Sequence, residues 1–156
     1  MVTARTAMAF TGRPVGYPDV GGTGQATAAR SIDLLTSILR GWDGVEVSPH
    51  RFGGVEYRVG RREMGHVHAG GVADLPFPVR LRRDLVSAGR AEAHRTLPHT
   101  GWVSVRIRTE HDIPAVVALF RLNYERLRGV GVRPGMMPLL GKATMLGDRV
   151  ADDLPA

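Results

Sequence analysis

The sequence contains no cysteine, one lysine and no long run of apolar residues. Without cysteine the chain forms no disulfide, has no thiolate nucleophile and offers no sulfur ligand to zinc or an iron–sulfur cluster. No apolar run approaches the roughly 18 residues that a transmembrane helix requires. Residues 1–10 also lack the charged and apolar regions of a secretory signal peptide. These absences predict a soluble cytoplasmic protein whose chemistry depends on His, Glu and Arg side chains.

The length and composition fit one domain of ordinary size. The chain has 156 residues, of which 43% are hydrophobic, enough for one core and too many for a disordered chain. Its formal net charge is +6, but all basic residues except Lys142 are arginine, dispersed from Arg5 to Arg149 with acidic residues between them. GC-rich coding also favours arginine, and dispersed charge is typical of a solvated surface. We therefore expect neither a nucleic-acid partner nor a membrane partner.

Hydrophobic periodicity predicts three helices and five strands in the order α-β-β-β-α-β-β-α. Apolar residues at three- and four-residue steps predict helices over residues 25–42, 78–89 and 112–128. Short alternating segments predict strands at residues 45–47, 55–59, 63–69, 91–96 and 102–108. We interpret residues 74–78 as a rigid segment that leads into the second helix. The result is an α+β fold with a single antiparallel sheet of about five strands and helices packed on one face.

Glycine and proline distribution predicts the domain boundaries. Residues 1–25 form a flexible arm rich in glycine and proline, and residues 26–130 form the single α+β domain. Residues 131–156, with further prolines and scattered methionines, are predicted to be an irregular tail.

Alternation along the strands sorts side chains onto two faces of the predicted sheet. Aliphatic residues such as Val103 and Val105 share the face that we expect to pack on the helices. The opposite face collects proton-transfer and anion-binding groups, with Met64 beside them: Glu56, Arg58, His66, His68, His94, Trp102, Ser104 and Arg106. Because tryptophan is rarely left fully wet, this face is expected to be partly covered, by the tail or by the second subunit of a homodimer.

His66 and His68 also have the spacing of metal ligands, because alternate residues of a strand share a face. A third ligand would come from one of four residues: Glu56, His50, His94 or His99. Such spacing is weakly specific, so we expect no cofactor and keep a metal at His66 and His68 as an alternative. An ordinary solvated sheet face would also account for these residues.

The polar face predicts a pocket for an anionic or oxygenated small molecule. Acid–base catalysis there, as in an isomerisation, cyclisation or dehydration of a biosynthetic pathway, is a further hypothesis. In it His66 or His68 moves the proton, and Glu56 orients the imidazole. The remaining candidates are His94 as a catalytic residue, and Arg58, Arg106, Trp102, Ser104 and His99 as ligand-binding residues. The alternative function is a non-catalytic binding module for a partner protein or nucleic acid.

Six blocks of sequence carry a family resemblance. They are residues 49–58 (PHRFGGVEYR), 62–68 (REMGHVH), 73–78 (ADLPFP), 89–94 (GRAEAH), 101–104 (GWVS) and 122–125 (LNYE). In this order they resemble the luciferase-domain family, a family of small, mostly uncharacterised bacterial and fungal proteins. The last two blocks are also remotely similar to small α+β proteins of the MmcQ/YjbR kind. The resemblance implies a small α+β fold and names no substrate, and its histidine-containing blocks coincide with the polar face.

Overall fold

This computed structural model describes residues 22–129, in which three helices pack on a six-stranded sheet. The helices are α1 (Gly22–Arg40), α2 (Val79–Ser87) and α3 (Ile113–Leu127), the last preceded by a 3-10 turn at Glu110–Asp112. The strands are β1 (Val45–Pro49), β2 (Val55–Val59), β3 (Arg62–His68), β4 (Val72–Pro76), β5 (Glu92–Ala93) and β6 (Trp102–Arg106). The predicted tail and most of the predicted arm lie outside the described residues. Within residues 22–129 no helix is long and apolar enough to span a membrane.

The sheet has the strand order β1-β2-β3-β4-β6-β5, and every neighbouring pair is antiparallel. Connections of five, two and three residues join β1 through β4 in sequence, and such short connections favour antiparallel neighbours. The prediction of an α+β fold with one antiparallel sheet is therefore confirmed.

Strand β4 is the main difference from the sequence prediction, which placed about five strands in the sheet. Its residues, Val72–Pro76, overlap the segment interpreted as leading into the second helix, and they lie between β3 and β6. Aspartate in the middle of a strand and proline at its end are both unfavourable, so the sequence pattern did not predict a strand here. A tight turn closed by Gly71 N–H and the His68 carbonyl, 2.9 Å apart, returns the chain from β3 into β4.

Of the element boundaries that differ from the prediction, two differ most. Helix α1 begins at Gly22, inside the segment predicted as an arm. Strand β5 contains only Glu92–Ala93 of the predicted residues 91–96, because the chain beyond it turns away to form the connection to β6.

The core lies between the helices and one face of the sheet. Leu35 and Leu39 of α1 and Phe120 of α3 are fully buried there. The sheet contributes alternate residues to the same cluster: Tyr57, Val67, Ala73, Leu75 and Val103. This alternation leaves the intervening side chains of the strands on the opposite face.

A β-bulge at Met64 overturns one expectation from strict alternation. Tyr57 pairs with Gly65 while Arg58 pairs with Glu63, so Met64 is the extra residue on β3. Its side chain is fully buried in the core instead of lying beside the histidines, and the prediction was wrong here. Asn123 of α3 donates a hydrogen bond from Nδ2 to the Met64 carbonyl oxygen at 2.7 Å, which satisfies a group that the bulge leaves unpaired.

Candidate functional site

A row of polar residues crosses the sheet on the face opposite the helices. The strand register pairs Glu56 with His66, His66 with Asp74, and Asp74 with Ser104. Directly paired residues project from the same face of a sheet, with Cβ atoms about 5 Å apart. The register therefore brings side chains from β2, β3, β4 and β6 into one line.

Asp74 is at the centre of this row, and its side chain is completely buried. Its Oδ2 atom lies 3.0 Å from His68 Nε2, and its Oδ1 atom accepts a hydrogen bond from Ser104 Oγ at 2.5 Å. The Nε2 atoms of His66 and His94 each lie 3.5 Å from the same Oδ2 atom. We call these five residues the Asp74 cluster. One carboxylate thus faces three imidazoles and one hydroxyl.

The Asp74 carboxylate is ionised despite its burial. Burial raises the pKa of a carboxyl group, but the hydrogen bonds from His66, His68 and Ser104 outweigh it and hold the pKa of Asp74 well below its usual range. The cluster therefore has a fixed negative charge at its centre.

His66 lies between two carboxylates and is only 8% exposed. Its Nδ1 atom is 2.6 Å from Glu63 Oε1, while its Nε2 atom faces Asp74. Burial lowers the pKa of His66, but the hydrogen bonds with Asp74 and Glu63 outweigh it and raise the pKa to about 9. The hydrogen bond from His66 in turn lowers the pKa of Glu63. When nothing is bound at the site, the raised pKa keeps His66 protonated at neutral pH, between the carboxylates of Glu63 and Asp74.

His50 stacks directly on His66. It follows β1 in the turn toward β2, and its ring centroid lies 3.8 Å from that of His66, with the two planes 10° apart. His68 contacts the His50 ring edge-on, at a centroid distance of 5.7 Å. Burial, followed by the positive charges of His66 and His68, lowers the pKa of His50. His50 Nδ1 is buried and has no hydrogen-bond partner among the described residues.

His94 and Trp102 form one side of the site. The Nδ1 atom of His94 accepts hydrogen bonds from the backbone N–H groups of Leu97, at 3.2 Å, and Thr96, at 3.3 Å. Those bonds fix Nδ1 as the acceptor, so Nε2 carries the hydrogen and points to Asp74. The half-buried Trp102 ring lies 5.4 Å from the His66 ring and 6.1 Å from the His94 ring. It gives the site a flat apolar wall.

The other predicted site residues lie around this centre. Glu56 accepts a hydrogen bond from Arg58 at 2.8 Å, and the carboxylates that hold the imidazoles belong to Glu63 and Asp74 instead. Arg106 is exposed and lines a groove together with Ser104. His99 is exposed in the connection before β6.

Sequence reasoning missed Asp74 as a site residue because it missed the strand that carries it. The signal was present, since Ala73 and Leu75 are apolar and alternate with Asp74. Glu63 is not among the predicted site residues. Its contact with His66 depends on the bulge, which single-sequence alternation does not reveal.

Among residues 22–129, two groups of side chains have the spacing of metal ligands. One contains His50, His66 and His68, and the other contains His50, Glu56 and Glu63. In each group, one ligand atom per residue lies within 4.8 Å of those of the other two. The arrangement therefore has the groups needed for proton transfer, for anion binding and for metal binding.

Comparison with known proteins gives one match. Residues 61–123 match the family model described as "Luciferase domain". The matched segment runs from β3 into α3 and contains the whole Asp74 cluster, whereas His50 precedes it. No curated protein and no solved structure matched the chain.

Proposed function

We propose that this chain, whose residues 61–123 match the "Luciferase domain" family model, binds a small anionic or oxygenated molecule at the Asp74 cluster. We further propose that a histidine of the cluster moves a proton to or from that molecule. The observation that carries the proposal is the convergence of three imidazoles on one buried carboxylate oxygen, at 3.0 to 3.5 Å.

The burial of these groups argues against an ordinary solvated sheet face. Asp74 is 0% exposed and His66 is 8% exposed, whereas polar residues on a solvated face keep their contact with water. Removing an ionised carboxylate from water is unfavourable, and apolar residues of similar volume often stabilise a fold as well or better. A buried ionic cluster therefore supports a role in binding or chemistry.

His68 is the cluster residue best suited to move a proton. Its side chain is 19% exposed, so a ligand can reach it, while Nε2 is held by Asp74 at 3.0 Å. A carboxylate in this position orients an imidazole and stabilises its protonated form, as in other Asp–His pairs. Trp102 would pack against the ligand.

Arg106 is the better placed of the two predicted anion-binding arginines. Arg58 already donates to Glu56 and to the Arg61 carbonyl oxygen, at 2.8 and 2.5 Å. Arg106 is exposed in the groove that Ser104 also lines, next to the cluster. An anionic ligand in that groove would contact the guanidinium and reach Ser104.

Replacing His68 by alanine tests the proposal, with malonate and inorganic phosphate as probes. We expect the wild-type protein to bind at least one probe in a calorimetric titration, and His68→Ala to weaken that binding at least about tenfold. The melting temperature should change by no more than a few degrees, because His68 is outside the hydrophobic core and Asp74 keeps its contacts with Ser104, His66 and His94.

His111→Ala is the matched control, since His111 is an exposed histidine in the 3-10 turn before α3. It should bind the probes like the wild type. Loss of folding in His68→Ala, or equal binding by both variants, would assign His68 a structural role and contradict the proposal.

A further inference from the structure

We propose that His50, His66 and His68 together bind a divalent first-row transition metal ion such as zinc. The inference goes beyond the proposed function on the same polar face: when the ion is bound, His68 coordinates it, and proton transfer by His68 belongs to the metal-free protein. One ring nitrogen of each histidine lies within 4.8 Å of those of the other two. Imidazole ligands favour zinc, copper, nickel and iron over magnesium and calcium.

The backbone brings His50 to the two histidines of β3 through a close-packed turn. His50 N–H donates to the Gly54 carbonyl at 3.1 Å, and Gly53 N–H donates to the His50 carbonyl at 2.9 Å. Gly54 has a φ of +91°, and a Cβ there would lie 2.0 Å from the Val67 carbonyl oxygen. The turn therefore contacts β3 between His66 and His68, and only glycine fits.

His50 has a buried ring nitrogen that the described residues do not satisfy. The residue is 7% exposed, and Nδ1 has no hydrogen-bond partner there. Leaving a buried polar atom unpaired typically costs about 1–3 kcal/mol. A metal–nitrogen bond would give this atom the partner that it lacks.

Carboxylates contact the other two imidazoles as they do in metal sites. Glu63 contacts Nδ1 of His66 at 2.6 Å, and Asp74 contacts Nε2 of His68 at 3.0 Å. Metal-binding histidines commonly donate their second ring N–H to a carboxylate, which fixes the ring orientation and raises its basicity. Both outer partners are thus already in position.

The second group, His50 with Glu56 and Glu63, is the weaker candidate. Glu56 Oε1 is engaged by Arg58 at 2.8 Å, and Glu63 Oε1 is engaged by His66. The three-histidine group requires only that His66 Nε2 give up its longer contact with Asp74, at 3.5 Å. Three protein ligands leave a coordination position for substrate or water, as in catalytic zinc sites.

The test measures metal content in protein that carries no histidine tag. Chelator-treated protein is loaded with zinc or cobalt(II), desalted and analysed for metal. We expect about one equivalent in the wild type, in Glu56→Gln and in the control His111→Ala, but less than about a tenth in His50→Ala and His68→Ala. Circular dichroism establishes that each variant is folded.

Three results would overturn the inference. The first is less than about a tenth of an equivalent in the wild type. The second is loss of metal in Glu56→Gln with retention in His68→Ala, which would assign the carboxylate group. The third is equal metal content in every variant, which would indicate adventitious binding.

Imidazole NMR of the wild type covers the case in which a variant does not fold. Zinc should shift the resonances of His50, His66 and His68 and leave those of His111 unchanged; uniform or absent shifts would contradict the site.

Probe binding by metal-free protein separates the two proposals. If malonate or phosphate binds but no metal does, the metal inference alone fails, and in the reverse case only the proposed function fails.

Discussion

At the scale of single residues, Asp74 organises the site because one buried carboxylate can accept several hydrogen bonds at once. Its oxygens face His66 and His68 of β3, Ser104 of β6, and His94 directly after β5. The charge is stable only while those partners remain, since an unpaired buried carboxylate is strongly unfavourable. Alternation along the strands was enough to predict that these histidines share one face of the sheet, but it did not predict Asp74 as their common partner.

Gly65 is the residue whose small size this arrangement requires most directly. It has a φ of +152°, and a Cβ there would lie 2.8 Å from the Asp74 carbonyl oxygen and 2.9 Å from Phe120 Cε1. We therefore expect Gly65→Ala to lower the free energy of unfolding by about 2–4 kcal/mol, measured by chemical denaturation.

Gly70→Ala is the control for this substitution. Gly70 has no atom within 4 Å of an added Cβ and does not have a positive φ. Its effect should stay within about 0.5 kcal/mol. Similar stability of the two variants would contradict the tight packing described for β3, β4 and α3.

At the scale of secondary-structure elements, the helices and most strands follow from the sequence, and β4 does not. The stripe Ala28, Ile32, Leu35 and Leu39 is buried as a helical period predicts. In β4, by contrast, the apolar alternation covers only five residues and ends in Pro76. Its strand conformation depends on pairing with β3 and β6, which is tertiary context that local propensity does not contain.

The turn between β1 and β2 offers a test at this scale. In Gly54→Ala the new Cβ would collide with the Val67 carbonyl and push the turn, with His50, away from β3. We expect zinc binding to weaken at least about tenfold, measured by competition with a chelating dye. Gly53→Ala has the same left-handed strain, with a φ of +85°, but no atom within 4 Å. If Gly53→Ala weakens binding as much as Gly54→Ala, then backbone strain and not the contact with β3 is responsible.

At the scale of the whole molecule, the sheet divides apolar packing from polar chemistry. The helices bury one face, and four of the six histidines come together on the other. The net charge of +6 does not identify this face, because the arginines are dispersed along the chain. Periodicity was enough to predict the polar face. The burial of its central residues depends on β4 and on the bulge in β3, and both become evident only from the three-dimensional strand pairing.

The central claim is that the Asp74 cluster is a ligand-binding site. The NMR signals of the six histidines can test it, because some of these residues lie in the cluster and others are exposed outside it. The direct measurement is an imidazole-detected NMR titration of metal-free wild-type protein with malonate and with phosphate. The account predicts saturable shifts for His66, His68 and His94, while the exposed His111 stays unchanged. Shifts that are absent with both probes, or that are as large at His111 as in the cluster, would contradict it.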